Sequence, residues 1–365
     1  MRFSSTTVTL GAALFLVPVA LGAQRTPLVA AADKTVVLEP AQVFDGDSLR
    51  RGLAVAVRGG RIVWIGPARD RPAGAESVPL PGLTLLPGLI EAHSHLLLHP
   101  YNETPWTDQV LKEALAVRVA RATNHARATL MAGWTTVRDL GTEGADDADV
   151  GLKQAIDQGI IPGPRMLVTT RAIVATGSYA PKGFDPRWRV PQGAEEADGV
   201  EELTKVVRRQ IGSGADWIKV YADYRWGPKG EARPTFSVEE LTRIVETAAS
   251  SGRHVVAHSS TAEGMRRATL AGVRTIDHGD GGTPEVFRLM AERGVALCPT
   301  VAAGAAIDGY GGWRRGVDPD PDDIVRKRAS VRAAVAAGVV ICNGSDVGAL
   351  RRVKFVMKGG EVVRR

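Results

Sequence analysis

The sequence is poor in cysteine, in aromatic residues and in long apolar runs, and each scarcity excludes a class of protein. Only two cysteines occur in 365 residues, which excludes a small fold held together by several disulfides. Aromatic residues make up 5% and hydrophobic residues 44%, a composition that excludes disordered and collagen-like chains. The length and composition indicate one large globular domain, or one large and one small.

Positive charge is in slight excess, but it is not concentrated in one place. The chain has 46 lysines and arginines against 40 aspartates and glutamates, a net charge of +6. The basic residues are scattered as pairs, whereas a surface that follows a phosphate backbone needs clustered charge. We therefore expect no nucleic-acid partner.

The main apolar run lies at the N-terminus. An uncharged stretch from Val8 to Gly22 follows Arg2, and Ala20–Ala23 offers the small residues at which a signal peptidase cleaves. The run is shorter than the roughly 20 residues that cross a bilayer. We predict a signal peptide over residues 1–23, no membrane span after its removal, and a secreted or periplasmic location. A membrane anchor is the alternative.

The two cysteines, Cys298 and Cys342, both lie inside apolar runs. An oxidising location would permit a disulfide, but a bridge demands a specific geometry that neighbouring strands often lack. We expect two buried free thiols, with a disulfide as the alternative.

Both ends of the chain show a strand-and-turn pattern. Two apolar strands flank Gly59-Gly60, which predicts a hairpin, and residues 349–365 repeat the pattern around Gly359-Gly360. We predict a small β-sandwich domain built from both chain ends, residues 33–86 plus 349–365.

Between these ends, strands and helices alternate over residues 87–348. Eight strands are predicted, at Leu89–His95, Thr135–Asp139, Arg165–Val174, Trp217–Tyr221, Val255–His258, Thr275–His278, Ala296–Pro299 and Val339–Asp346. Helices are predicted at Gln109–Met131, Val150–Gln158, Val200–Ile211, Val238–Ser251, Ala262–Ala271, Glu285–Arg293 and Ile324–Ala337. Such alternation predicts an α/β fold, a (β/α)8 TIM-type barrel. A doubly wound sheet is the alternative, although no Gly-x-Gly-x-x-Gly follows the first strand.

Side chains that bind metals concentrate at the carboxyl ends of the predicted strands, where barrel enzymes carry their active sites. His93 and His95 end the first strand, and alternate residues of a strand point to the same face, so the two imidazoles should lie side by side. Later strands end in Lys219, His258, His278 and Asp346. Each has an ordinary structural explanation when taken alone, but imidazoles and a carboxylate together suit divalent zinc, manganese, iron or cobalt.

The motifs resemble those of the amidohydrolase superfamily, and within it the imidazolonepropionase-like and Xaa-Pro dipeptidase-like branch. The stretches that carry the resemblance are Leu86–His95, Gly133–Asp139, Ile218–Val220, Val256–His258, Ile276–Gly279 and Gly344–Asp346. The resemblance implies six metal ligands: His93, His95, Lys219, His258, His278 and Asp346. It also implies two divalent ions, with zinc expected, bridged by a carbamate on Lys219. Asp346 would be the catalytic general base and acid for a hydroxide that attacks the amide carbonyl.

The expected function is therefore metal-dependent hydrolysis of an amide C–N bond, most simply in a dipeptide or N-acyl amino acid. Tyr224 and Arg225 follow the lysine strand and are predicted to bind substrate, since a phenol polarises a carbonyl and a guanidinium binds a carboxylate. Arg138 and Asp139 are interpreted as a structural pair. One alternative is a cyclic-amide hydrolase or deaminase with a single metal ion. A homo-oligomer is compatible with the sequence.

After Asp346 the chain departs from the family pattern. Members of the family continue with an eighth helix and further strands, whereas here Asp346-Val347-Gly348 leads directly into Ala349. An absent helix would leave several hundred Å² uncovered, on the order of 10 kcal/mol at about 25 cal/mol per Å², against a whole-domain stability of about 5–15 kcal/mol. A partner subunit could cover the gap. The other alternative is an inactive relative damaged by an internal deletion.

Overall fold

The computed structural model describes residues 34–185, 187–345, 356–359 and 361–364. The predicted signal peptide over residues 1–23, Asp346 and residues 349–355 lie outside the described residues, so what the sequence predicts for them stays a prediction. Within the described ranges, no helix combines the length and hydropathy that a membrane crossing requires.

The N-terminal part is a five-stranded sheet with the order β2-β1-β3-β4, in which β5 pairs in parallel with β1. Its strands are β1 (Val36–Phe44), β2 (Leu49–Arg51), β3 (Leu53–Arg58), β4 (Arg61–Pro67) and β5 (Glu76–Leu85). The predicted hairpin is confirmed, because β3 and β4 pair antiparallel across Gly59-Gly60. Both glycines have positive φ (56° and 76°), as a tight two-residue turn requires.

From Leu89 onward, strands alternate with helices in a mixed α/β arrangement. The strands are β6 (Leu89–Ser94), β7 (Trp134–Asp139), β8 (Arg165–Val168), β9 (Ile173–Val174), β10 (Glu195–Glu196), β11 (Trp217–Tyr221), β12 (Asp223–Arg225), β13 (Ala232–Pro234), β14 (His254–Ser259), β15 (Thr275–His278) and β16 (Ala296–Cys298). The helices are α1 (Trp106–Leu111), α2 (Leu115–Met131), α3 (Ala148–Asp157), α4 (Gly199–Ser213), α5 (Val238–Ala249), α6 (Ala262–Ala271), α7 (Pro284–Arg293), α8 (Val301–Tyr310) and α9 (Asp322–Ala336).

The parallel strands form a three-stranded sheet, β6-β7-β8, and a six-stranded sheet, β10-β9-β11-β14-β15-β16. The predicted third strand is divided into β8 and β9, with a positive φ of 60° at Thr170 between them. Over its described residues, 339–345, the predicted eighth strand forms one parallel bridge, between Ile341 and Leu297. Three backbone hydrogen bonds join these pieces: Asp216 N to Val168 O (2.8 Å), Leu297 N to Val340 O (2.9 Å) and Ala92 N to Asn343 O (2.9 Å).

Side-chain caps start the helices that cover the larger sheet. Ser237 begins α5 with a capping box, in which its hydroxyl accepts from Glu240 N and the Glu240 carboxylate accepts from Ser237 N. Thr261 and Thr283 cap α6 and α7 with their hydroxyls alone, which accept from Gly264 N and Val286 N. The apolar faces of these helices pack with β11, β14 and β15 into one large core. The caps therefore help fix where the carboxyl end of each strand lies.

Two helical features differ from the prediction. The stretch 109–131 contains two helices rather than one, because Gln109 and Glu113 hydrogen-bond the preceding loop at His99 (both 2.8 Å). The sequence pattern does not predict α8, which is rich in small and apolar residues, has no buried residue and therefore shows no 3.6-residue alternation.

The C-terminal residues form an antiparallel hairpin of β17 (Val356–Lys358) and β18 (Glu361–Arg364). Met357 packs against a small cluster of Val43, Val55 and Val57 from the N-terminal sheet. The C-terminal hairpin thus contacts the sheet of β1 to β5, while the sandwich architecture and the domain boundaries stay predictions.

The expectation of free thiols is wrong, because Cys298 and Cys342 form a disulfide with their Cα atoms 4.8 Å apart. Leu297 N donates to Val340 O and Cys342 N donates to Leu297 O, so residues 340–342 run beside β16. This pairing, which composition alone does not reveal, brings the two cysteines together. The bridge ties the segment after α9 covalently to β16.

Replacing one cysteine should destabilise the protein. We expect Cys342→Ser to lower the free energy of unfolding by about 2–4 kcal/mol, because the cross-link restricts the unfolded chain. Denaturant unfolding without reductant measures this, and the double variant Cys298→Ser/Cys342→Ser should resemble the single one. Dithiothreitol should bring the wild type down to the level of the variants, and an unchanged midpoint would contradict the bridge.

Candidate metal centre

Four histidines and a lysine meet at the carboxyl ends of β6, β11, β14 and β15. These are the predicted ligands His93, His95, Lys219, His258 and His278. The ring centroid of His278 lies 4.9 Å from that of His93 and 4.5 Å from that of His258. Lys219 and His93 are each only 1% exposed. The structure thus brings five of the six predicted ligands together, and the sixth, Asp346, lies outside the described residues.

The two histidines of the first strand face each other through their Nε2 atoms, which are 3.2 Å apart. Nδ1 of His93 lies 2.7 Å from Oδ2 of Asp277, and Nδ1 of His95 lies 2.9 Å from the carbonyl oxygen of Gly141. Carboxylate and carbonyl oxygens only accept, so both Nδ1 atoms donate, and in the neutral form of each ring the lone pair lies on Nε2. Two neutral imidazoles placed in this way can direct both Nε2 atoms at one cation.

The other two histidines, His278 and His258, are held by neighbouring side chains. His278 has a left-handed φ of 76°, and its Nδ1 lies 2.8 Å from Oγ1 of Thr300, whose φ is also positive (46°). The ring of His258 stacks on Tyr221 at 4.5 Å. Non-glycine residues in the left-handed region are strained by about 1–3 kcal/mol and occur preferentially at functional sites.

Burial keeps these histidines neutral. It lowers the pKa of His93 and of His278 well below the ordinary value, and it lowers the pKa of His258 to about 3. The positive charge of Lys219 acts in the same direction on all three. Neutral imidazoles are the form that coordinates metal ions.

Asp277, which the sequence did not single out, lies at the centre of this cluster. Besides His93, its carboxylate lies 3.5 Å from Lys219 Nζ and 3.6 Å from the guanidinium of Arg138. The predicted pairing of Arg138 with Asp139 is wrong, because neighbouring residues of β7 point to opposite faces. Asp139 instead accepts a hydrogen bond from Leu96 N (2.8 Å).

A second missed acid, Glu143, organises an aromatic wall beside His258. Its carboxylate accepts from Tyr179 (2.5 Å), Trp106 Nε1 (2.9 Å) and Tyr221 (3.2 Å). Burial, and next the charge of Glu143, raise the pKa of both tyrosines well above its ordinary value. Both phenols therefore stay protonated and direct their hydroxyl groups to Glu143.

The two predicted substrate-binding residues have different environments. Tyr224 is half-buried, with its ring centroid 5.8 Å from that of His258 and 4.8 Å from that of Tyr179. Arg225 is exposed, since adjacent residues of the β12 strand face opposite sides. The structure brings Tyr224 to the histidines and leaves Arg225 on the exposed side of β12.

The donor types fit a divalent cation, although a complete ligand set is not preformed. Over the described ranges, no three His, Cys, Asp or Glu side chains already stand at the mutual spacing of a metal-binding group. The fit rests on the paired Nε2 atoms of His93 and His95. It also rests on the carboxylate that Asp277 places behind His93, an arrangement that usually orients histidine ligands.

Comparison with known proteins gives consistent relationships. The model of the amidohydrolase family matches residues 84–362, more than half of the chain. Ochratoxinase of Aspergillus niger is 29% identical over 366 residues, covering 90% of this chain and 73% of that protein. Imidazolonepropionase of Aromatoleum aromaticum is 40% identical over 96 residues, covering 24% and 23%. A solved Xaa-Pro dipeptidase with bound methionine in its active site is 28% identical with a TM-score of 0.71, covering 87% and 80%.

Acid should unfold the metal-free protein through the buried histidines. The pKa of His258 is about 3 in the folded chain against an ordinary 6.5. Below about pH 6.5, His258 takes up a proton in the unfolded chain but stays neutral in the folded chain. The free energy of unfolding is therefore retained above that pH and falls as the pH is lowered toward 3. For this one group the loss between pH 6.5 and 5 is about 1.5 kcal/mol.

Urea unfolding in the presence of a chelator, at several pH values from about 7.5 to 4.5, checks this linkage. His258→Asn should flatten the pH dependence, while His254→Asn, at an exposed position of the same strand, should leave it unchanged. Equal slopes for the wild type and His258→Asn would contradict the proposed cause.

Proposed function

Because the chain belongs to the amidohydrolase family, we propose that it is a metal-dependent hydrolase that cleaves an amide C–N bond. The observation that carries the proposal is the facing Nε2 pair of His93 and His95, with two further neutral histidines around a buried lysine. We propose a dipeptide or an N-acyl amino acid as substrate. The similarity to a Xaa-Pro dipeptidase with bound methionine supports this choice.

We also propose that the two parallel sheets form one closed (β/α)8 barrel. The hydrogen bond from Ala92 N to Asn343 O supports closure between the first and the eighth strand. The contact of Met357 with the N-terminal valine cluster supports a small domain made from both chain ends.

We propose a separate role for each residue of the site. His93 and His95 would hold one ion with Asp346, His258 and His278 would hold the second, and a carbamate on Lys219 would bridge them. Two bound divalent ions would act as Lewis acids toward the amide carbonyl and supply hydroxide near neutral pH. Asp346 would take up a proton and deliver it to the departing nitrogen. Asp277 keeps the His93 proton on Nδ1, which leaves Nε2 to bind.

A single-metal cyclic-amide hydrolase or deaminase is the second candidate. The 96-residue similarity to an imidazolonepropionase favours it. The number of bound ions distinguishes the two, because the carbamate on Lys219 has a bridging role only where two ions are present. An inactive relative damaged by an internal deletion would hold no ions.

We further propose that the protein is exported to a secreted or periplasmic location by the signal peptide over residues 1–23. The disulfide between Cys298 and Cys342 supports this location, because such bonds persist mainly in oxidising compartments. We propose a small molecule, and no nucleic acid, as the binding partner. A homo-oligomer is also compatible with the sequence, because a second subunit could cover a barrel wall that an absent helix leaves open.

Elemental mass spectrometry of protein purified with zinc and bicarbonate tests the binuclear site. We expect about two ions per wild-type chain, and for Lys219→Met a loss of ions together with most amide hydrolysis. Lys205→Met, on the exposed side of α4, is the matched control and should keep both. Full metal content and full turnover in Lys219→Met would contradict the assignment of a carbamate to Lys219.

Asp277→Asn should weaken metal binding by about 10- to 100-fold, because the carboxylate that orients the His93 ligand is lost. Competition against a chelator gives the affinity, and thermal unfolding reports whether the fold is intact. Asp185→Asn, at a surface pair with Arg187, serves as control and should leave the affinity unchanged. An unchanged affinity in Asp277→Asn would show that Asp277 only balances the buried charges.

A further inference from the structure

A cavity of about 470 Å³ adjoins the histidine pair of the first strand. His93 and His95 form part of its lining, so the cavity is continuous with the candidate metal centre. Its volume falls within the range of about 300–1,000 Å³ typical of small-molecule sites. A group of drug-fragment size can therefore enter beside the two imidazoles.

Most of the remaining lining is apolar. Leu96 and Leu98 come from the loop after β6, and Ala303, Ala306 and Ile307 come from α8. None of the α8 residues is buried, and Ile307 is 55% exposed, which is unusual for so apolar a helix. One face of α8 thus borders this cavity instead of packing into the core.

Charge within the cavity is scarce. The described lining contains no lysine or arginine, and its acid, Glu91, already accepts from Ser345 N (2.8 Å) and Ser345 Oγ (2.6 Å). Its two other histidines are engaged as well: Nε2 of His99 lies 2.8 Å from Oε1 of Glu113, and Nδ1 of His125 lies 2.9 Å from the carbonyl oxygen of Leu96. A charged group that entered would lose its water and gain no ion pair with a lysine or arginine of that lining, which is costly. The described part of the lining therefore offers apolar surface and no lysine or arginine to pair with a charged group.

We propose that this cavity is the subsite for an uncharged apolar group of the substrate, of the size of a phenyl ring or a branched aliphatic chain. The inference rests on the proposed function, since the scissile amide would lie at the histidines while the apolar group fills the cavity. It specifies the substrate class: amides of bulky apolar acids or amines, in preference to amides of small or charged ones.

Binding of a simple amide pair tests the subsite without turnover. Phenylacetamide and acetamide are titrated against the full chain by ligand-observed NMR, with Ala306→Phe to fill the cavity. Ala305→Phe, the same change one residue earlier and outside the lining, is the matched control. We expect phenylacetamide to bind at least about 10-fold more tightly than acetamide, and Ala306→Phe to remove about 10-fold or more of that preference. Ala305→Phe should retain it.

The outcomes separate the subsite from the function. If phenylacetamide binds no better than acetamide, or if both α8 variants lose the preference equally, the subsite is wrong. If the preference depends on Ala306 but neither amide nor any dipeptide is hydrolysed, the subsite stands and the proposed hydrolase fails. Where hydrolysis is found, the ratio of kcat/KM for phenylacetyl over acetyl amides should fall about 10-fold in Ala306→Phe. Thermal unfolding of both variants shows whether the fold is retained.

Discussion

The candidate site depends on the interactions of one buried carboxylate, that of Asp277. Two cations, Lys219 and Arg138, lie within 3.6 Å of it in the interior, and His93 bonds to it at 2.7 Å. Buried charge is costly unless it is paired, and removal of one partner of such a group leaves the others uncompensated. The same carboxylate that balances the lysine also fixes the orientation of the first histidine. Charge balance and ligand geometry therefore cannot vary independently here.

The histidines and the aromatic wall divide the mouth of the site into two unlike sides. Around His258, Glu143 anchors phenol and indole donors, so polar groups are present but already engaged. Beside His93 and His95 the surface is apolar and borders an open cavity. An amide held between these sides would contact ordered hydrogen-bonding groups on the side of His258. On the side of His93 and His95 it would contact mainly apolar surface. In the proposed function, this asymmetry would be the physical basis for discrimination among amides that share the same reacting bond.

Local periodicity sufficed to predict much of the fold and most of the candidate ligands. The bounds of α6 and β11 agree with the predicted ones, and the side-by-side placement of His93 and His95 follows from the two-residue repeat of a strand. Contacts between distant segments could not be obtained in this way. Asp277 meets His93 across 184 residues, and the disulfide depends on which strand lies beside residues 340–342. The helix α8 escaped prediction because a helix with no buried residue carries no amphipathic repeat. The interpretation of Asp346 still rests on resemblance to the family.

The hydrogen bonds of Glu91 with Ser345 span 254 residues, and they have a consequence for the order of folding. Strand β6, which contains Glu91, cannot acquire these partners until nearly the whole chain has been made. Contacts so distant in sequence slow folding, since loop-closure entropy is lost before they form. During synthesis β6 can pair with β7 early, but it lacks its partners Asn343 and Ser345 for a long interval. For the proposed export, late pairing of this kind would lengthen the interval in which the chain is still unfolded and able to cross a membrane.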